Sequence, residues 1–472
     1  MTEAELPPGW AMTTVGVACS TQLGKMLSKK AKSGEGELPY LRNQNVQWGR
    51  IDLDDLLTMN FSDAERVKFG LRPGDVLVCE GGVVGRAAVW RSERGVLFQK
   101  ALHRLRCWDG VSPEWVAYAF QHMANSRQFG DYTSGSTIAH LPQEDIRRLP
   151  LALPPTDEQD RIVTELERRL SHVDAAERGL TSLIEKLAVV RSAIINSAMT
   201  GSLVAVGGGN ATADAEEDSD PGDTAPRVPP HWRWSLLKDI LREPMRNGRS
   251  APTAPAGSGV RVYAITAVTR RDWGLHHTKW AEGDPAALAD LFVKDGDVFV
   301  QRSNTPELVG TSALYRGPDA VSTFPDLLIR LRPSDEVAPE WLEAVLLWSS
   351  TRTYLRSVAS GLSGSMPKID QGKVGKVRVP IPPLDEQLAI LAEMNRRLSL
   401  VDAAVRAVQN GLGKCTQVRK SVLAAAFTGQ LSTQDAREEP ACVLLDRIKG
   451  QRQAAEPARK PGRKPRAKKE TT

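Results

Sequence analysis

The apolar positions of this chain follow two rhythms, and each rhythm occurs twice. In the first, Leu166, Leu170, Val173, Leu180, Ile184, Leu187 and Ile194 fall on alternating steps of four and three residues, with Glu177 and Arg191 at the two steps that are not apolar. Met394, Leu398, Val401, Val408, Leu412, Cys415 and Val422 repeat the spacing, with Val405 and Arg419 at the matching gaps. A four-three alternation is the stripe of a helix that buries one seam against a partner helix. Each run predicts a helix of about 40 residues, or about 60 Å at 1.5 Å per residue. The two seams share a register, so the simplest partner for each is the other, packed antiparallel about a pseudo-two-fold. A separate helical bundle in each half is the alternative.

The second rhythm is that of short strands broken by Gly and Pro. Gly74-Asp75-Val76-Leu77-Val78 is a β-branched run after a turn, and Gly296-Asp297-Val298-Phe299-Val300 is its counterpart. Each leads through a loop and a Val-Gly pair into a further apolar stretch, at 83–90 and 308–315. A Pro-Glu-Trp triplet then opens a predicted helix in each half, at 113–115 and 339–341, where Pro suits the first helical turn. Both halves begin with Pro-Pro-x-Trp, at Pro7–Trp10 and Pro229–Trp232.

The helical parts are close copies. From Pro154 the chain reads PPTDEQDRIVTELERRLSHVDAA and from Pro382 PPLDEQLAILAEMNRRLSLVDAA, identical at 15 of 23 positions with an offset of 228 residues. The offset persists to Thr200-Gly201-Ser202-Leu203 and Thr428-Gly429-Gln430-Leu431. A period this long is beyond the roughly 20–50 residues of a solenoid unit and describes two domain-sized halves. The partition that follows is a mixed domain at 6–153, a helical region at 154–203, an acidic disordered linker at 204–228, a second mixed domain at 229–381, a second helical region at 382–432 and a basic disordered tail at 433–472.

Composition narrows the class. No apolar run approaches the roughly 18–20 residues of a membrane span, and the N-terminus lacks the basic and apolar regions of a signal peptide. Five scattered cysteines, Cys19, Cys79, Cys107, Cys415 and Cys442, show neither metal-ligand spacing nor a disulfide framework, which suits a reducing cytoplasm. The net charge of +5 is mild. It conceals seven basic residues against one acid from Pro457 to Thr472, and six acids without a base from Val204 to Pro226. Such a balance permits nucleic-acid binding without demanding it.

Enzyme signatures are missing from the sequence: no phosphate-binding GxxxxGK[ST], no HExxH, no GxSxG and no paired CxxC. His276-His277 reads as a surface turn rather than a metal site. Asp157-Glu158 and Asp385-Glu386 read as acids that complement the dipole and cap the start of the long helices.

The doubled order of variable domain, PPxxEQ, long helix and T-G-x-L resembles the specificity subunit of type I restriction-modification systems. Pro39–Asp52, Gly74–Val89, Ser134–Gln159 and Ser360–Gln387 share the likeness, which covers about residues 6–432. The resemblance implies an α+β protein: two mixed α/β target-recognition domains separated by two long antiparallel coiled-coil helices, with a pseudo-two-fold internal repeat. It implies a non-catalytic reader of double-stranded DNA, one domain for each half of a bipartite asymmetric site. It also implies helices that set the spacing and dock two DNA adenine methyltransferase subunits using S-adenosylmethionine, with helicase-nuclease restriction subunits as further partners. No cofactor or metal is expected in this chain.

Candidate DNA contacts are long polar side chains in loops, because Arg reads guanine and Asn or Gln reads adenine through paired hydrogen bonds. In the first half these are Arg42, Asn43, Gln44, Asn45, Glu80 and Arg86, then Ser134, Gly135, Ser136, Thr137 and His140. In the second they are Gln301, Arg302, Ser303 and Asn304, then Ser363, Gly364, Ser365 and Lys368. Small hydroxyl residues and Gly let backbone approach DNA, so the SGS loops suit phosphate contact, although a plain turn is the competing explanation. The competing functions are a two-headed coiled-coil scaffold and a DNA reader for a methylation-only or other phage-defence effector.

Overall fold

The computed structural model describes residues 6–27, 37–132, 140–204, 226–361 and 366–455. The chain divides into two compact units, Met1–Gly179 with Gly411–Thr472, and Leu180–Asn410. Two 44-residue helices, Thr156–Met199 and Leu384–Phe427, each contribute one half to each unit.

In the first unit, Ala11–Thr14 pairs antiparallel with Pro150–Leu153, so the strand after Pro-Pro-x-Trp lies beside the strand that precedes the first long helix. The main sheet is antiparallel, in the order Cys19–Leu23, Leu102–Cys107, Val76–Cys79, Ala87–Val89. A smaller sheet holds Leu57–Asn60, Glu37–Leu41 and Leu97–Phe98. In the second unit Arg233–Leu236 pairs with Arg378–Ile381, and the main sheet runs Arg246–Asn247, Leu328–Leu331, Val298–Gln301, Ser312–Leu314. The two main sheets share one strand order, despite how little the mixed regions agree in sequence.

The turn before the central strand is built alike in both units. Gly74 and Gly296 take φ of +89° and +85°, where a side chain is strained. Asp75 is buried, accepts the Arg72 N–H at 2.8 Å, and holds Arg106 in a two-pronged ion pair at 2.7 Å on each prong. Asp297 does the same with the Lys294 N–H and with Arg332, at 2.5 and 3.1 Å. A carboxylate this enclosed requires such a partner.

The repeated words of the sequence meet one another. Trp10 Nε1 donates to Glu158 at 2.9 Å, and Trp232 Nε1 donates to Glu386 at 3.0 Å, so the opening Trp of each unit is bonded to the Glu of PPxxEQ. The adjacent Gln159 accepts the Ser112 N–H and donates to the carbonyls of Gly110 and Pro154. Gln387 accepts the Ala338 N–H and donates to the carbonyls of Glu336 and Pro382. Ser112 and Ala338 precede the helices Pro113–Asn125 and Pro339–Leu347, so each Gln satisfies a free N–H at a helix start. Asp157, Glu158, Asp385 and Glu386 lie in the first turns of the long helices, as expected. Glu158 and Glu386 are in addition buried acceptors for an indole N–H.

Gly201 and Gly429 end the long helices with φ of +74° and +70°. A Cβ at Gly201 would lie 2.5 Å from Pro229 Cγ, and one at Gly429 would lie 2.4 Å from Pro7 Cγ. The end of each helix therefore seats the opening proline of the opposite half, and the first unit closes on a segment remote in sequence.

Within the first unit, Ile162, Leu166 and Leu170 share a core with Leu423, Ala426 and Phe427; within the second, Ile195 and Met199 share one with Ile390, Leu391 and Met394. The start of one helix lies against the end of the other in each case, so the pairing is antiparallel. Leu166, Leu170, Val173, Met394, Val401 and Val408 are buried, and Leu180, Ile184, Leu187, Ile194, Leu398, Leu412, Cys415 and Val422 are half-buried. The seam predicted from spacing is the inward face.

One expectation is corrected. Within the stretch assigned to a disordered tail, Ala441–Ala455 is a helix. Ala441, Leu444 and Ile448 are buried in the first unit's core, and the Ala441 N–H donates to the Gly9 carbonyl at 2.8 Å. Three apolar residues at spacings of three and four sufficed, within a stretch judged by its charge. Residues 456–472 and most of the acidic linker, 205–225, lie outside the described residues. Cys19 and Cys107 are partners on neighbouring strands with their Sγ atoms 3.2 Å apart, a proximity that their spacing along the chain conceals. Among the described residues no helix is long and apolar enough to cross a membrane.

Candidate nucleic-acid interface

In the first unit, the loop after Val76–Cys79 gathers the candidates from three parts of the chain. Asn43 Nδ2 donates to the Gly81 carbonyl at 3.1 Å, and Arg86 donates to the Asn43 carbonyl at 2.7 Å and to Gln47 Oε1 at 3.3 Å. Gly81 forms a bridge with His140, and the Leu141 N–H donates to the Glu80 carbonyl at 2.7 Å. Arg42 and Gln44 both donate to the Asp55 carboxylate at 2.7 Å. Gln44 and His140 are exposed, and Arg42, Asn43, Glu80 and Arg86 are half-buried. Arg42 Nε, Asn43 Oδ1 and Arg86 Nε are enclosed without a protein hydrogen-bond partner, valence that water or a ligand can complete.

In the second unit the same junction recurs. Ser303 forms a bridge with Lys368, and the Ile369 N–H donates to the Arg302 carbonyl at 2.9 Å. Lys368 also bridges Ser360, and Lys373 Nζ donates to Ser360 Oγ at 3.0 Å. Ser303, Leu327, Ser360, Gly361, Met366 and Lys368 line an open depression there. His140 and Lys368 are separated by the repeat offset of 228 residues, as are Leu141 and Ile369. Each domain thus ties the loop after its central strand to the residue just beyond its SGS segment. The side chains at the junction differ: Glu80 and His140 in one, Arg302 and Lys368 in the other. Ser134, Gly135, Ser136, Thr137, Ser363, Gly364 and Ser365 lie outside the described residues.

Three candidates are positioned inward. Asn45 is buried, accepts the Arg42 N–H and donates to the carbonyls of Asp52 and Asp55. Gln301 is buried, donates to Thr269 Oγ1 and the Ile265 carbonyl, and accepts from Asn304 at 2.7 Å. Ser303 is buried as well. Asn45 and Gln301 brace the loops that carry their neighbours. Polarity selected them, but polarity alone does not distinguish a side chain that projects from one that braces.

Sequence inspection passed over Arg352 and Arg356. Both donate to the Glu307 carbonyl, at 3.1 and 2.8 Å, on the loop that follows Asn304. Burial, with Arg356 alongside, pushes the Arg352 guanidinium down to about 10. Their four-residue spacing on the helix Ser349–Ser357 was the available signal. His103 is fully buried with Nε2 3.1 Å from the Leu141 carbonyl, and burial pushes its imidazole down to about 4. It supports the His140 junction as a neutral ring.

The sheets, paired helices and repeated junction define a duplicated α+β protein. A solved chain from work on complex assembly and conformational transition of the type I R-M system has the same fold: TM-score 0.67, 18% identity, 90% of this chain and 99% of that chain covered. Residues 7–186 match the family model for the type I restriction modification DNA specificity domain. The EcoKI specificity subunit of Escherichia coli (strain K12) is 24% identical over 475 residues, covering 96% of this chain and 98% of its own length. The StySPI specificity subunit of Salmonella potsdam is 24% identical over 471 residues, covering 96% and 97%. Over nearly its whole length the chain is thus similar to type I restriction enzyme specificity subunits.

Proposed function

We propose that this chain is the DNA-reading subunit of a type I restriction-modification complex, with each mixed domain reading one half of a bipartite, asymmetric site. The observation that carries the reading is the repeated junction. Two domains hold the same loop in the same way yet present Glu80 and His140 in one and Arg302 and Lys368 in the other. A common mount with different side chains is what two different half-sites require. Most protein–DNA hydrogen bonds go to the backbone, so Lys368, Arg302 and Arg86 serve first as phosphate contacts.

The helices are proposed to dock two adenine methyltransferase subunits and, further, helicase-nuclease subunits. Glu165 bonds Arg168 and Arg169, and Glu393, at the offset of 228, bonds Arg396 and Arg397 in the same pattern. Val190 and Val418, also related by that offset, are 46% and 48% exposed. Two equivalent surfaces suit two copies of one partner. S-adenosylmethionine would be used by those partners, and methyl transfer and cleavage would reside in them.

Co-expression with an adenine methyltransferase encoded beside this chain, followed by mapping of modified adenines, tests the reading. The expected result is a split motif around a fixed unspecified gap, of which exchange of residues 6–153 changes one part only. An intact complex that methylates without sequence preference, or not at all, would support the scaffold or other-effector reading.

A further inference from the structure

Asp272, His276 and His277 form a cluster in the second unit, remote in role from the junction described above. Asp272 Oδ2 lies 3.1 Å from His276 Nε2 and 3.5 Å from His277 Nε2, and one ligand atom from each residue falls within 4.8 Å of the others. We propose that these three side chains bind one divalent transition-metal ion of the zinc class. Zinc bonds of about 2.0–2.2 Å place neighbouring tetrahedral ligands roughly 3.3–3.5 Å apart, close to the two carboxylate–imidazole separations present.

His277 carries the argument. It is 8% exposed, and its Nε2 has no hydrogen-bond partner. Its Nδ1 lies 3.1 Å from Thr266 Oγ1. With the Nδ1 proton given to Thr266, the Nε2 lone pair faces the Asp272 carboxylate. In that tautomer two acceptors face each other, one on the buried His277 and one on the exposed Asp272, and a cation between them relieves the pairing. A metal-bound imidazole is ordinarily fixed through its second nitrogen in this way.

The surrounding turn is prearranged. Asp272 Oδ1 accepts the Gly274 N–H at 2.9 Å, while Oδ2 is the oxygen that faces both imidazoles. A Cβ at Gly274 would lie 2.4 Å from the His276 ring, so only glycine allows the imidazole to fold over this turn. Trp273 packs against Tyr263, Phe299 and Tyr315 and donates from Nε1 to the Leu314 carbonyl at 2.7 Å, anchoring the loop from within. The first domain has the matching Trp48-Gly49, followed by Arg50-Ile51-Asp52 without histidine, so the site belongs to the second domain alone. Two imidazoles and one carboxylate suit Zn²⁺, Co²⁺ or Ni²⁺ and disfavour Mg²⁺ and Ca²⁺, which take oxygen shells. The surface-turn reading of this pair from sequence is thereby revised: His276 is exposed, but His277 is not.

The test uses the full-length, untagged, metal-stripped chain titrated with Zn²⁺ by calorimetry and with Co²⁺ by visible absorption. We expect one equivalent per chain, tetrahedral cobalt bands, and a rise in Tm with zinc. His276→Ala alters an exposed residue and should keep the fold while weakening binding at least tenfold, and His277→Ala should abolish it. Cys19 and Cys107, with Sγ atoms 3.2 Å apart, offer zinc a competing thiol pair, so a Cys19→Ser, Cys107→Ser double variant should bind as the parent does. Absence of binding, binding unchanged in His276→Ala, or binding lost in the cysteine variant would overturn the assignment. None of these readouts depends on DNA recognition.

Discussion

Arg191 on the first long helix pairs with Asp402 on the second, and Arg419 on the second pairs with Asp174 on the first, at 2.6 Å. The partners exchange under the offset of 228 residues, because Asp174 corresponds to Asp402 and Arg191 to Arg419. Arg419 also reaches Glu177 at 2.7 Å. The gaps in both apolar seams are thus bridged by charge, and an antiparallel register is the one that brings these opposite charges together. Arg191→Asp should lower stability by up to about 1 kcal/mol, since the pair is partly exposed, and Arg191→Asp with Asp402→Arg should recover most of it. A double-mutant cycle by chemical denaturation measures the coupling, and additive single effects would show that the pair contributes nothing.

The latch between Trp232 and Glu386 should be worth more. Trp232→Phe retains an aromatic ring but removes the N–H that Glu386 accepts, leaving a buried carboxylate with only His231 as its side-chain partner, at 2.8 Å. The expected loss is about 1–3 kcal/mol. Trp10→Phe should cost a similar amount through Glu158. Differential scanning calorimetry reads both, and a Tm unchanged by either substitution would contradict the latch.

Acid should weaken the fold partly through His103. Its folded-state pKa, about 4, lies below the 6.5 of the exposed ring, so the unfolded chain binds the proton first. Its contribution is whole above pH 6.5 and is lost as pH falls from 6.5 towards 4, by about 3 kcal/mol at most. His103→Gln should flatten the difference between urea midpoints at pH 7 and pH 5. An equal decline in parent and variant would exclude His103 as the source.

Truncation should separate the two parts of the C-terminal segment. Removing 433–472 uncovers the surface covered by Leu444 and Ile448, with an expected loss of about 3–5 kcal/mol from two buried aliphatic side chains. Removing only 457–472 should leave Tm unchanged, lower salt-sensitive non-specific DNA affinity, and keep the recognised motif. Thermal melts and filter binding at two salt concentrations distinguish these outcomes, and an altered methylation motif in the shorter truncation would refute the account of the tail.

The sequence by itself determined the duplication, the two long helices and their seams, because period and repetition are local properties that survive without coordinates. Gly74-Asp75, Pro113-Glu114-Trp115 and PPxxEQ were legible as landmarks for the same reason. What they are for was decided by tertiary structure. Trp10 meets Glu158 across 148 residues, and Gly429 meets Pro7 across nearly the whole chain. Whether Asn45 and Gln301 projected or braced depended on neighbours such as Asp52, Asp55 and Thr269, and no spacing encodes that. The docked helix Ala441–Ala455 and the buried Nε2 of His277 were hidden for a related reason. Burial is a property of what packs against a residue, and here the packing partners come from distant parts of the chain.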